Sequence, residues 1–299
     1  MDTLFWANLL NGLLMVAMPI GLAIFLTRKF GLEWRLWWIG ATTFVLSQVG
    51  HIPFLWISTL ILNRLPLAVY FQNAPKVHAV VFNGVFLGLA AGLFEELFRY
   101  GMYRWWVKDA HSWGKGLLTG AGHGGAEAII FGVLALYAFI QLAILRNVDL
   151  STLFSGEKLE LVRQQVQTYW SASWYDAVLG AVERLFAIAI QLCCAVLVLQ
   201  TFTRRQWFWV WLAVLYHAII YFFTVPAAAG YISRYATEAI VGGFAIMSVI
   251  FIFLLRQPEP AAVEIADRAP ALSGVEKLAG FTPKPIEETE DNLEKTRYQ

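Results

Sequence analysis

Along residues 1–256 long apolar stretches alternate with short polar ones, and seven of the stretches reach the roughly 20 residues needed to cross the hydrocarbon of a bilayer. They lie at about 4–26, 36–62, 78–99, 117–145, 177–200, 206–225 and 232–255. The pattern predicts an all-α, polytopic membrane protein of about seven transmembrane helices. The second and fourth runs are long for one straight span, and Pro53 predicts a kink in the second. No basic residue precedes the first run and no small-residue cleavage site follows it, so it reads as a span rather than a signal peptide. Trp34, Trp37, Trp38, Trp105, Trp106, Trp113, Trp170, Trp174, Trp207, Trp209 and Trp211 fall at the expected ends, as an interfacial aromatic belt does. Between Asp149 and Asp176, the spacing of Leu159, Val162, Val166, Tyr169 and Trp170 suits an amphipathic helix on the outer surface, with a loop as the plainer reading.

Composition agrees with the membrane assignment and sharpens it. Of 299 residues 59% are hydrophobic and 14% charged, against about 25% charged in soluble domains. A net charge of +1 leaves no basic face for nucleic acid. The only cysteines, Cys193 and Cys194, are adjacent within an apolar run, which suits packing rather than a disulfide framework or thiolate metal site. The charge divides the chain in two. Residues 257–299 carry nine acids, five bases and five of the ten prolines, which predicts a disordered acidic tail, whereas residues 1–256 carry a net +5 and form the membrane-embedded bundle. Nine basic residues (Arg28, Lys29, Arg35, Arg104, Lys108, Lys115, Arg204, Arg205, Arg256) lie on one side of the spans and six on the other. The positive-inside rule then predicts a plasma-membrane protein with its N-terminus outside and its tail cytoplasmic.

Candidate chemistry lies in the ionisable residues inside the spans, since each costs roughly 2.5–3.5 kcal/mol at a helix centre. They are His51, Glu95, Glu96, Arg99, His123, Glu127, Glu183, Arg184, His217 and Glu238. At about 1.5 Å per residue, Glu95 and His123 lie roughly 6–9 Å and Glu127 and His217 roughly 15–16 Å from the cytoplasmic ends, so the four can share one cavity. Glu95 and Arg99 are i,i+4 and Glu96 and Arg99 i,i+3. Neighbouring carboxylates beside a guanidinium can divide labour, one staying ionised while the other serves as a water-activating base. An interfacial helix end with ordinary charges is the plain alternative. His123 and Glu127, i,i+4, have the spacing at which two side chains hold one metal. Gly120-x-x-x-Gly124, with Gly88-x-x-x-Gly92 on the third run, predicts close packing of these two helices. Gly120, Gly122 and Gly125 also fit G-x-G-x-x-G, but no strand precedes them and the dinucleotide reading carries little weight. Equal depth predicts a structural ion pair between Arg184 and Glu238. His51, with Gln48 one turn earlier and Pro53 beside it, either lines the cavity or satisfies a bent backbone.

Glu95-Glu96-x-x-Arg99, the Gly-His123-Gly-Gly-x-Glu127 segment, Glu183-Arg184 and the late His217 together resemble the YhfC-type membrane peptidases, a family allied to the CAAX-protease and bacteriocin-processing superfamily. The resemblance covers most of residues 1–256 and, because it includes Glu183-Arg184, keeps a site role open for that pair beside the structural one. It implies a helical bundle that hydrolyses peptide bonds of a peptide or membrane-protein substrate within the bilayer. The superfamily spaces its first motif one residue longer, Glu-Glu-x-x-x-Arg, and often places Asn or Asp four residues after its last histidine, where this chain has Tyr221. The implied roles are Glu95 as base, Glu96 as its orienting or metal-bound neighbour and Arg99 as holder of the carboxylate charge. His123, Glu127 and His217 are then metal ligands, or oxyanion- and water-positioning groups. Two histidines and a carboxylate suit zinc with a fourth position for water, and a metal-free glutamate mechanism serves equally. A catalytically inactive scaffold or chaperone is the alternative reading. A transporter fits less well, because no internal repeat is evident.

Overall fold

The computed structural model describes residues 3–256, which are helical with no strand among them; the expectation of an acidic tail at 257–299 falls outside the described residues. Seven helices are long and apolar enough to cross a membrane: α1 (Thr3–Phe30), α2 (Trp34–Leu62), α4 (Lys76–Gly101), α5 (Trp113–Leu145), α8 (Leu179–Thr203), α9 (Phe208–Ala228) and α10 (Arg234–Leu254). Three short α-helices link them, α3 (Pro66–Asn73), α6 (Gly156–Trp170) and α7 (Trp174–Ala177), with a π-helical turn at Met102–Trp106 and a 3-10 turn at Leu150–Thr152. The chain leaves α1 through Gly31 at φ +61°, a left-handed conformation that suits glycine, and Pro66 opens α3 where its missing N–H costs nothing. Pro53 lies within α2, which remains helical on both sides of it. Of the two readings of the 149–176 stretch, a helix forms at α6, with no buried residue. Trp170 at its end donates to the Leu142 carbonyl at 3.0 Å and stacks under Arg146.

The bundle is built around α8. Every residue from Ile190 to Thr201 is buried, and α1, α4, α5, α9 and α10 all pack against this helix. Not all the tryptophans form a belt, since Trp37 and Trp113 are buried in the core. Glycines set the closest helix contacts, but not between the pair of helices expected. On α4, a Cβ at Gly88 or Gly92 would lie 2.5 Å from the Ala218 or Val214 carbonyl oxygen of α9. On α5, Gly120 and Gly124 receive Ala195 and Gln191 of α8, while Gly122 lies against the Trp37 backbone of α2. The expected α4–α5 glycine contact is therefore corrected to α4–α9, α5–α8 and α5–α2. Glycines four apart create a groove on one helix face without specifying which neighbour fills it. Their effect is to hold α2, α4, α8 and α9 at close backbone range around the polar centre.

Candidate active site

The last turns of α4 carry Glu95, Glu96 and Arg99 into the interior, where they are 7%, 0% and 1% exposed. Charges so buried persist only when paired and hydrogen-bonded. Arg99 forms an ion pair with Glu96, and its other terminal nitrogen donates to Gln191 Oε1 at 2.6 Å. The i,i+3 partner thus takes the guanidinium, and the i,i+4 Glu95 is left to other groups. Glu96 Oε1 meets His217 Nδ1 of α9 at 2.8 Å. Glu95 Oε2 lies 3.1 Å from His123 Nε2 of α5, accepts from Gln191 Nε2 at 3.0 Å and lies 3.9 Å from His217 Nε2. Its Oε1 accepts from Gln48 Nε2 of α2 at 3.2 Å. Five helices, α2, α4, α5, α8 and α9, meet at this carboxylate pair.

A second charged group adjoins the first. Arg184 Nη1 donates to Glu127 Oε1 at 2.7 Å and its other arm pairs with Glu183. Gln191 Nε2 donates to Glu127 Oε2 at 3.1 Å as well as to Glu95, so one amide joins the two groups. The expected Arg184–Glu238 pair does not form, and Glu238 Oε2 has no hydrogen-bond partner. Equal depth fixes height but not azimuth, and Arg184 faces α5 rather than α10.

Of the expected site residues, Glu95, Glu96, Arg99, His123 and His217 are brought together. Glu127 is not grouped with the two histidines as a ligand set, because Arg184 and Gln191 hold both its oxygens. Glu96, Cys194 and His217 do place ligand atoms within 4.8 Å of one another. Both Glu96 oxygens are already committed there, to Arg99 and His217. Glu95 also has both oxygens held, Oε1 by Gln48 and Oε2 by Gln191 and His123, but two imidazoles face its Oε2. The two glutamates exceed their one guanidinium by a negative charge, which a cation or protonated imidazole offsets. His217, held at Nδ1 by Glu96, turns Nε2 toward Glu95, the carboxylate–histidine arrangement that orients metal ligands. Imidazole nitrogens facing a carboxylate are donor chemistry that a metal cation can use.

The sequence does not single out Gln191, because an amide carries no charge. Its spacing is a usable signal, as seven residues after Arg184 it returns to the same helix face. Gln48 and His51 both line a cavity of about 690 Å³ whose polar wall includes Glu95, Glu127 and Tyr221. Among its apolar lining, Val45, Val49 and Ile52 of α2 and Phe131 and Leu134 of α5 are exposed on the outside of the bundle. The cavity therefore opens between α2 and α5 onto an apolar face.

Seven apolar helices enclosing a carboxylate–histidine centre define a multi-pass membrane protein with a polar site inside its bundle. The chain belongs to the YhfC intramembrane metalloprotease family, whose model matches residues 14–242 and spans every site residue named above. It is 33% identical over 255 residues to a Bacillus subtilis (strain 168) protein described as "Uncharacterized membrane protein YhfC", covering 81% of this chain and 93% of that one. No solved structure matches the chain.

Proposed function

We propose that the protein is a metal-dependent intramembrane endopeptidase acting on membrane-embedded protein substrates. The observation that carries this reading is the approach of two imidazole nitrogens, His123 Nε2 at 3.1 Å and His217 Nε2 at 3.9 Å, to one buried carboxylate oxygen, Glu95 Oε2. His123 and His217 would hold the metal, zinc by donor chemistry. Bound there, the metal supplies Lewis acidity toward the scissile carbonyl and acidifies a water.

The protein's own groups do the rest. Glu95 takes the proton from the attacking water as its oxygen bonds to the carbonyl carbon, then returns it to the amine as the C–N bond breaks. Gln48 and Gln191 fix the two oxygens of Glu95. Glu96 orients His217, and Arg99 holds the Glu96 charge. The apolar mouth between α2 and α5 suits entry from lipid. By loop charge, the N-terminus lies outside and the tail in the cytoplasm.

Comparing membrane proteomes of cells carrying the wild type or Glu95→Gln tests this reading. An uncleaved precursor should accumulate with Glu95→Gln while the variant stays folded and inserted. A precursor cleaved equally by both would refute the role of Glu95.

A further inference from the structure

Away from the carboxylate–histidine centre, α1 and α10 form the rims of a second groove, of about 340 Å³, floored by α5 and α8. Trp113, Leu117, Ile188 and Leu192 on the floor are buried, whereas Phe25, Val249 and Phe253 on the rims are exposed, so the groove opens sideways onto the lipid-facing surface. The lining is apolar except for Lys29 and Arg256, and it contains no acidic residue. Both cations stand at one end, Lys29 in the last turn of α1 and Arg256 just beyond α10. Aromatic rings of the groove hold them there: Lys29 Nζ lies 5.2 Å from the Phe25 ring centre and Arg256 Cζ 5.1 Å from that of Trp113. Trp113 is itself fixed by donation to the Ile252 carbonyl at 2.9 Å and by edge contact with Phe30. From this end the apolar wall runs back to Leu22 on α1 and Val249 on α10, each seven residues from its cation, or roughly 10 Å. Helix-end cations that merely snorkel to the interface need no such trough between them. A free phosphate gains nothing from the apolar walls, and a peptide strand laid along them would bury backbone groups without partners. The matching ligand is anionic at one end and hydrocarbon for the rest.

We propose that this groove binds one anionic phospholipid, its phosphate between Lys29 and Arg256 and an acyl chain between α1 and α10 over the floor of α5 and α8. Two cations with no carboxylate beside them select a headgroup of net negative charge, since the ammonium of a zwitterionic lipid meets like charge at the same mouth. The hydrocarbon supplies the contacts that the open trough lacks. The site is independent of the proposed peptidase chemistry, although its floor helices also carry His123 and Gln191.

The test uses full-length protein, delipidated in detergent and titrated with phosphatidylglycerol or phosphatidylcholine of identical chains, with bound lipid counted by native mass spectrometry. Wild type should retain one phosphatidylglycerol in preference to phosphatidylcholine. Lys29→Gln with Arg256→Gln, both at exposed helix ends, should weaken that preference about 30-fold, the product of about five-fold for each cation. Ala189→Phe keeps both cations and fills the trough, so it should abolish retention of either lipid while the lipid-free protein elutes and melts as wild type does. Glycerol phosphate, which has the headgroup charge without the chain, should not compete. Equal binding of the two lipids by wild type would overturn the proposal and leave the groove to another occupant, such as a second copy of the chain or the acidic segment after Arg256. An unchanged preference in the double glutamine variant would overturn it as well. Full retention in Ala189→Phe, or displacement by glycerol phosphate, would show charge attraction at the surface only and would equally overturn it. If Ala189→Phe does not fold, Val249→Trp on the opposite rim fills the same trough and is read in the same way.

Discussion

Adding one carbon atom at Gly92 should damage the site more than its size suggests. Gly92 lies one turn before Glu96 on α4 and faces Val214, which lies one turn before His217 on α9. A Cβ there would sit 2.5 Å from the Val214 carbonyl oxygen, and ordinary contact begins near 3.4 Å, so the helices must part by about 0.9 Å. Backbone is on the receiving side, so no flexible side chain can absorb the shift. The same displacement one turn away would stretch the 2.8 Å Glu96–His217 contact to about 3.7 Å, beyond hydrogen-bond range. Overpacking costs about 1–3 kcal/mol and loss of a charged hydrogen bond about 1.5–3, against about 1 gained in helix propensity, so Gly92→Ala should lose roughly 2–5 kcal/mol. At Gly21 on α1 an added Cβ would meet nothing within 4 Å, so Gly21→Ala should gain up to about 1 kcal/mol. Thermal unfolding in detergent measures both. Equal or higher stability for Gly92→Ala, with the precursor still cleaved, would refute the idea that the α4–α9 approach sets the site.

Arg99→Met strands Glu96 and should cost about 3–5 kcal/mol in unfolding experiments, with Glu96→Gln/Arg99→Met recovering most of the loss. Arg184→Met should lower stability by about 2 kcal/mol, between the surface and buried limits, and should also slow precursor cleavage because Glu127 shares Gln191 with Glu95. Adding Glu127→Gln to Arg184→Met should restore the melting temperature. Reporter fusions after Gln299 should be active only if their reporter works in the cytoplasm, and an externally active fusion would reverse the orientation inferred from loop charge.

Span number and position are legible in the sequence because apolar length is a one-dimensional property. Which helices touch is not. Gly88 and Gly92 announce a close neighbour, but that neighbour, α9, begins more than a hundred residues later. The Glu95, Glu96, Arg99 and His123 cluster is readable because buried charges are conspicuous in apolar runs. Assigning partners within it is harder, since both glutamates are in helical reach of Arg99 and only the position of His217 and Gln191 decides between them. Depth alone matches Arg184 to Glu238, whereas rotation about the α8 axis turns it to Glu127 instead. Gln191 shows the limit of searching by charge, because its amide serves both clusters without adding any.

The origin of the centre in five helices has a consequence in time. Membrane helices enter the bilayer in chain order, and the groups around Glu95 run from Gln48 to His217. At roughly 5–20 residues per second, about 10–30 s of synthesis separate the first from the last. Until α8 and α9 are inserted, Arg99 lacks Gln191 and Glu96 lacks His217. The carboxylate–histidine centre is therefore incomplete through most of synthesis, and insertion of α9 is the step that closes it.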